Sequence, residues 1–253
     1  MKSMIDLLQS EHLKIRKNWG VWLLFIVPVV ITLIIDINIA MSHSGITNFQ
    51  GNPWMSKLGQ PLLLMYVLLF PMMIALCVHS LFDLEYSRMN FKRLYVLPVS
   101  KRMIIWAKFI VVVEILGLST LFAYWLLMLS GNFFASTLPK YHFGDFDMNP
   151  VFTAFFVRMF IICLSVAFLQ YALSSLFCKF SVPVGIACVG TVIALIASPW
   201  KYIYIFPYNL IANYMKDFTS ESVAILTPSV IVALLYLVVF GAATYLFLSR
   251  IKV

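Results

Sequence analysis

Long apolar runs alternate with short polar breaks along this chain. Six windows contain no Asp, Glu, Lys or Arg: Asn18 to Ile35, Leu58 to Phe82, Ile115 to Pro139, Met159 to Cys178, Phe180 to Trp200, and Ser222 to Ser249. They hold 18, 25, 25, 20, 21 and 28 residues. A helix needs about 20 apolar residues to cross the hydrocarbon core of a bilayer, so each window predicts one spanning helix. The third window extends backwards through residues 109–113, interrupted by Glu114. The predicted spans are 19–38, 60–82, 104–130, 155–178, 181–199 and 227–248. Alternating segments of about 10 residues, the mark of a membrane β-barrel, do not occur in the sequence. The apolar core of the first window, Val21 to Ile35, is followed by Asp36-Ile37-Asn38 and not by a small-x-small cleavage site. It reads as a retained span and not as a signal peptide.

Composition agrees. Of the 253 residues, 62% are hydrophobic and 11% charged, and the mean hydropathy is +0.96. A soluble domain is nearer half apolar and a quarter charged, so a soluble globule, a disordered chain and a disulfide scaffold are excluded. The expected fold is an all-α integral membrane protein, with residues 1–253 forming a single transmembrane domain of six helices.

The 18 basic residues outnumber the 10 acidic ones, giving a net charge of +8. Placed on six spans, thirteen of them fall on one side: Lys2, Lys14, Arg16, Lys17, Arg88, Lys92, Arg93, Lys101, Arg102, Lys108, Lys179, Arg250 and Lys252. Only Lys57, Lys140, Lys201 and Lys216 fall on the other, and Arg158 lies at the edge of a span. Basic residues favour the cytoplasmic side. The expected orientation in a plasma membrane therefore has both termini cytoplasmic and an even number of spans. The basic excess is an orientation signal, not a nucleic-acid surface, since the charges flank spans and no recognition motif accompanies them.

Catalytic motifs are missing from the sequence. Cys77, Cys163, Cys178 and Cys188 all lie in or at the ends of apolar windows without a CxxC pair, so they read as small core residues. His12, His43, His79 and His142 form no zinc pattern, and there is no G-x-S-x-G elbow. There is also no G-x-x-x-x-G-K-[ST] phosphate loop, so driven transport would need its energy from another chain. A membrane-embedded enzyme would need paired acids or histidines at one depth, which Glu114 alone does not supply.

Two cytoplasmic segments stand out. In residues 1–18, Met4, Ile5, Leu8 and Ile15 fall near helical spacing, with Lys2, Asp6, Lys14, Arg16 and Lys17 on other faces. This reads as an amphipathic helix in the membrane interface. Residues 83–102 begin with the acids Asp83 and Glu85, continue with bases, and carry Pro98. The order suits a short helix with acids at its positive end and a proline stop. Phe91, Leu94 and Tyr95 stand beside Arg88, Lys92 and Arg93. Aromatics interleaved with arginine suit a docking surface, and equally suit the headgroup layer. The opposite loops are aromatic-rich: Trp54; Phe133, Phe134, Tyr141, Phe143 and Phe146; then Trp200, Tyr202, Tyr204, Phe206, Tyr208, Tyr214 and Phe218. They are expected to form the outer aromatic belt, with residues 200–221 as a short interfacial or re-entrant element.

Charges within spans are expensive and usually functional. Asp36 and Arg158 sit on the outer side at a depth that allows them to pair. Glu114 lies six residues past Lys108, about 9 Å deeper at ~1.5 Å per residue, and is expected to be a paired structural acid rather than part of a proton relay.

These features together resemble the permease subunits of ABC-2-type ABC transporters, and among them the lantibiotic-immunity permeases that protect producers from their own peptide antibiotics. The lead segment Leu7-Leu8-Gln-Ser-Glu11-His-Leu13-Lys14 is similar to that family's leucine-rich connecting helix. The Asp83-x-Glu85 exit of the second span, the stretch from Lys92 to Arg102, Trp106-x-Lys108, and the short basic tail resemble it too. The motif likeness covers about the first 110 residues, and the layout covers the chain. The resemblance implies that Glu85, Arg88, Phe91, Lys92, Arg93, Leu94 and Tyr95 form a coupling helix seated in a separate ATPase dimer, with Glu11 and Lys14 on a connecting helix beside it. ATP and Mg would be bound by that partner, and no cofactor by this chain. Further partners would be a second permease chain, related or identical, membrane lipids, and a peptide or other amphiphilic or lipid-like substrate.

Overall fold

The computed structural model describes residues 4–16, 18–41, 52–57, 65–86, 101–177, 179–197, 199–216, 218 and 223–250. The helices are α1 (Met4–Ile15), α2 (Trp19–Met41), α3 (Pro53–Lys57), α4 (Phe70–Tyr86), α5 (Lys101–Thr137), α6 (Asn149–Leu176), α7 (Ser181–Ile196), α8 (Leu210–Lys216) and α9 (Pro228–Arg250). A π-helical turn, Met65–Leu69, leads into α4, and no strand occurs among the described residues.

Among the described residues, five helical stretches are long and apolar enough to cross a membrane: Trp19–Met41, Met65–Phe82, Met103–Thr137, Asn149–Leu176 and Pro228–Leu246. The fifth predicted span, 181–199, is helical only over the 16 residues of α7. At ~1.5 Å per residue that is about 24 Å, short of a ~30 Å hydrocarbon core. Pro199 accounts for the early stop, because proline cannot continue the hydrogen-bond ladder and disfavours helix in the residue before it. In the opposite direction, α5 runs 37 residues, about 55 Å by the same rise. Ser130, Asn132, Ser136 and Thr137 end the apolar run but do not break a helix, and the next proline is Pro139.

Burial sorts the spans into layers. In α4 and α6, 72% and 67% of the apolar window is buried, against 22% in both α2 and α9. So α4 and α6 form the centre, and α2 and α9 flank it. The core is built from Phe70 and Ile74 of α4 with Phe152, Phe155, Met159 and Ile162 of α6. The flanking helices turn Ile26, Val30 and Leu33, and Leu235, Val238 and Val239, outwards. This apolar exterior is what a hydrocarbon solvent requires. Cys77 and Cys163 are buried in the same core as small apolar residues.

The bundle has two ends. At one, α1 crosses the last turns of α4 and the first turns of α5, while Phe109 stacks on Tyr171 near the end of α6 and Phe82 meets the same ring edge-on. At the other, the 3₁₀ turns Pro139–Tyr141 and Phe143–Asp145 pack on α5, and Trp54 of α3 meets Phe152 of α6.

Candidate coupling site at the α1 end

The face of α1 that meets the bundle is Leu7, Glu11 and Ile15, four residues apart and therefore on one side of the helix. A carboxylate in the middle of a buried face demands a partner. Lys108 of α5 supplies it. Its Nζ donates to Glu11 Oε2 at 3.0 Å and to the Leu81 carbonyl of α4 at 3.1 Å. The two side chains are only 4% and 3% exposed. Lys14 pairs with the other Glu11 oxygen, and the Lys108 amine lies 5.5 Å from the Phe82 ring centre. One buried amine thus ties α1, α4 and α5 together. Burial by itself would raise the Glu11 carboxyl, but the charges and hydrogen bonds of Lys108 and Lys14 outweigh it and hold the group below its ordinary value.

Beside this clamp, His12 reaches Glu114. Nε2 lies 2.9 Å from Glu114 Oε2, and Nδ1 lies 2.7 Å from the Leu8 carbonyl oxygen. The intramembrane acid of α5 is therefore partnered by the next residue of α1. Of the coupling residues expected from sequence, Arg88, Phe91, Lys92, Arg93, Leu94 and Tyr95 lie outside the described residues, as does the side chain of Glu85. The ends that bracket them are described: α4 ends at Tyr86 and α5 begins at Lys101.

The described contacts of Asp36 and Arg158 are not with each other. Asp36 Oδ2 accepts from Ser130 of α5 at 2.5 Å. The Arg158 guanidinium, 1% exposed, lies 5.6 Å from the Tyr214 ring centre and donates to the Tyr214 hydroxyl at 3.4 Å. A second buried tie runs from the Gln170 amide to the Tyr208 hydroxyl. The Tyr208 ring rests on Gly190 of α7, where a Cβ would come within 2.6 Å of it. Gly190 is nine residues into α7, about 14 Å along it. Residues 203–216 therefore pack into the bundle against α6 and α7.

The aromatic belt divides in two. Trp200, Tyr202, Tyr204, Phe133 and Phe146 are exposed, as belt residues should be. Trp54, Phe134, Tyr141, Phe143, Tyr208 and Tyr214 are buried instead. Trp54 packs edge-on against Phe143 at 5.5 Å and donates its indole hydrogen to the Phe143 carbonyl at 2.9 Å. Gly131 leaves room for that indole, which a Cβ would overlap. Trp54, Phe134, Tyr141 and Phe143 close this end of the bundle, whereas Tyr208 and Tyr214 lie against α6 inside it.

Lys108, His12, Gln170 and Tyr208 carry contacts that the sequence reading did not assign. Lys108 was legible as a lone cation inside an apolar run. Gln170 was invisible to a search for charges, because a neutral amide leaves a window unbroken.

Residues 7–194 match the family described as ABC-2 family transporter protein. No curated protein and no solved structure matches the chain. The matched stretch begins in α1, includes the Lys108 clamp and ends in α7. The chain belongs to the ABC-2 family of transporter proteins, as a transmembrane subunit of an ABC transporter.

Proposed function

We propose that this subunit is driven by a separate ATPase dimer docked on residues 83–102, and that, with a second permease chain, it moves lantibiotic-type peptides out of the bacterial plasma membrane as self-protection. The observation that carries the coupling part is the Lys108 clamp. It fixes α1 and both helices that bracket residues 83–102 as one unit, so a push on that segment reaches α4, at the centre of the bundle, and α5. Rigid levers of this kind are how a local event becomes a helix movement. The apolar exterior and the sequence likeness to immunity permeases support an amphiphilic peptide as cargo, with both termini on the ATPase side.

The test is co-purification and tolerance. Phe91→Asp or Lys92→Glu abolishes recovery of the ATPase from mild detergent while insertion stays normal; unchanged recovery in both variants removes the coupling assignment. Cells carrying the chain with its ATPase survive more lantibiotic than cells lacking it. Equal sensitivity across a broad peptide panel, with ATPase recovery intact, moves the cargo to another amphiphilic or lipid-like class.

A further inference from the structure

We propose that His12 and Glu114 form a binding site for one shared proton, which latches α1 onto α5 and opens as pH rises. The argument is proton bookkeeping. Nδ1 of His12 faces the Leu8 carbonyl at 2.7 Å. A carbonyl oxygen only accepts, so Nδ1 must carry hydrogen. Nε2 then faces Glu114 Oε2 at 2.9 Å. A neutral imidazole with hydrogen on Nδ1 has a bare lone pair on Nε2, and an ionised carboxylate has only lone pairs. That contact therefore needs one more proton, carried either by the ring or by the carboxyl. In both arrangements the pair has no net charge.

Location makes neutrality matter. Glu114 lies within an apolar span and its side chain is 44% exposed at the outside of the bundle. A bare carboxylate facing hydrocarbon is costly. When the shared proton leaves, two acceptors face each other and a negative charge is stranded against lipid, so the contact favours release of α1. Among the described residues, other charged groups nearby do not substitute. Lys108 and Lys14 are both bound to Glu11 on the buried face. Arg16 is exposed beyond the end of α1, and Asp6 lies six residues before His12. The described side chains of α4 next to α1 place no cation at Glu114, and His79 of that helix packs edge-on against Phe180 instead.

The latch consists of this chain's own residues and does not depend on the ATPase reading. It is tested by hydrogen–deuterium exchange of the α1 amides. The full chain is reconstituted in nanodiscs of phosphatidylethanolamine and phosphatidylglycerol, and rates between pH 6 and 9 are corrected for base catalysis. Protection of α1 in the native chain falls about tenfold across this range, the size of one charge-assisted hydrogen bond. His12→Arg supplies a permanent cation and keeps α1 protected throughout. Glu114→Gln donates its own amide hydrogen to Nε2 and also shows no pH step. Flat protection in the native chain overturns the latch, and so does an equal fall in either variant. The exchange of α6 amides reports folding in every sample, so loss of the fold is read separately from release of α1.

Discussion

Glu11 and Lys108 meet at 3.0 Å with both side chains buried, although they are 97 residues apart in sequence. Neither residue is tolerable in an apolar setting alone. Removing one partner of a buried ion pair costs about 3–5 kcal/mol because it strands the other charge. Here Lys14 still reaches Glu11, so Lys108→Met should cost somewhat less, about 2–4 kcal/mol. Glu11→Gln combined with Lys108→Met should recover part of that loss. A double-mutant cycle on thermal unfolding in detergent should give a coupling of about 1–3 kcal/mol; strict additivity would mean that the pair does not hold α1.

The same pair sets an acid limit. The Glu11 carboxyl is held below its ordinary value of 4.5. A carboxyl lowered in the docked state contributes stability that is complete above the undocked value and is lost as pH falls through the docked one. Amide protection of α1 should therefore hold from neutral pH down to about 4.5 and decline below it. A Glu114→Gln background removes the shared proton of the His12 contact from this measurement. Adding Glu11→Gln should abolish the acid step.

At the opposite end, Gly131→Ala places a methyl group where the Trp54 indole lies. Overpacking of this kind costs about 1–3 kcal/mol. Trp54→Phe keeps the packing but leaves the buried Phe143 carbonyl without its indole donor, for about 1–2 kcal/mol. Both should lower the unfolding temperature without altering the exchange of α1. A change at α1 would show that the two ends are coupled in the ground state.

The packing of residues 203–216 into the bundle depends on the tie between Tyr208 and Gln170, whose side chains are both nearly inaccessible. Tyr208→Phe strands the Gln170 amide and should cost about 1–3 kcal/mol. Replacing both ends, with Gln170→Leu added, should be closer to neutral, because no buried polar group is left wanting. Unfolding curves of the three variants decide it; equal losses in the single and double variants would mean that the hydrogen bond is incidental.

Five of the long spans could be read from charge-free windows because lipid penalises charge at every position of a helix. Their ends were harder to place. The predicted third span, 104–130, ignored a polar but helix-compatible extension to Thr137, and the predicted fifth, 181–199, ignored the stop ahead of Pro199. The aromatic loops were assigned to a belt because tyrosine and tryptophan favour interfaces. Trp200 and Tyr202 are exposed, as that assignment requires. It fails for Trp54 and Tyr208, whose polar atoms found partners inside the bundle.

Composition, periodicity and the basic bias by themselves determined that this is a helical membrane chain with a charged, aromatic segment between its second and third spans. The charges inside apolar runs also marked Asp36, Glu114 and Arg158 as residues needing an explanation, and the family likeness added Glu11 and Lys14. Which partners answer them was decided only by the tertiary structure. Pairing across 97 or 102 positions depends on how α1 lies against α5, and helix placement follows from packing summed over the whole bundle. A local pattern reports the cost of burying a charge. Only the assembled fold brings the opposite charge within 3.0 Å of it.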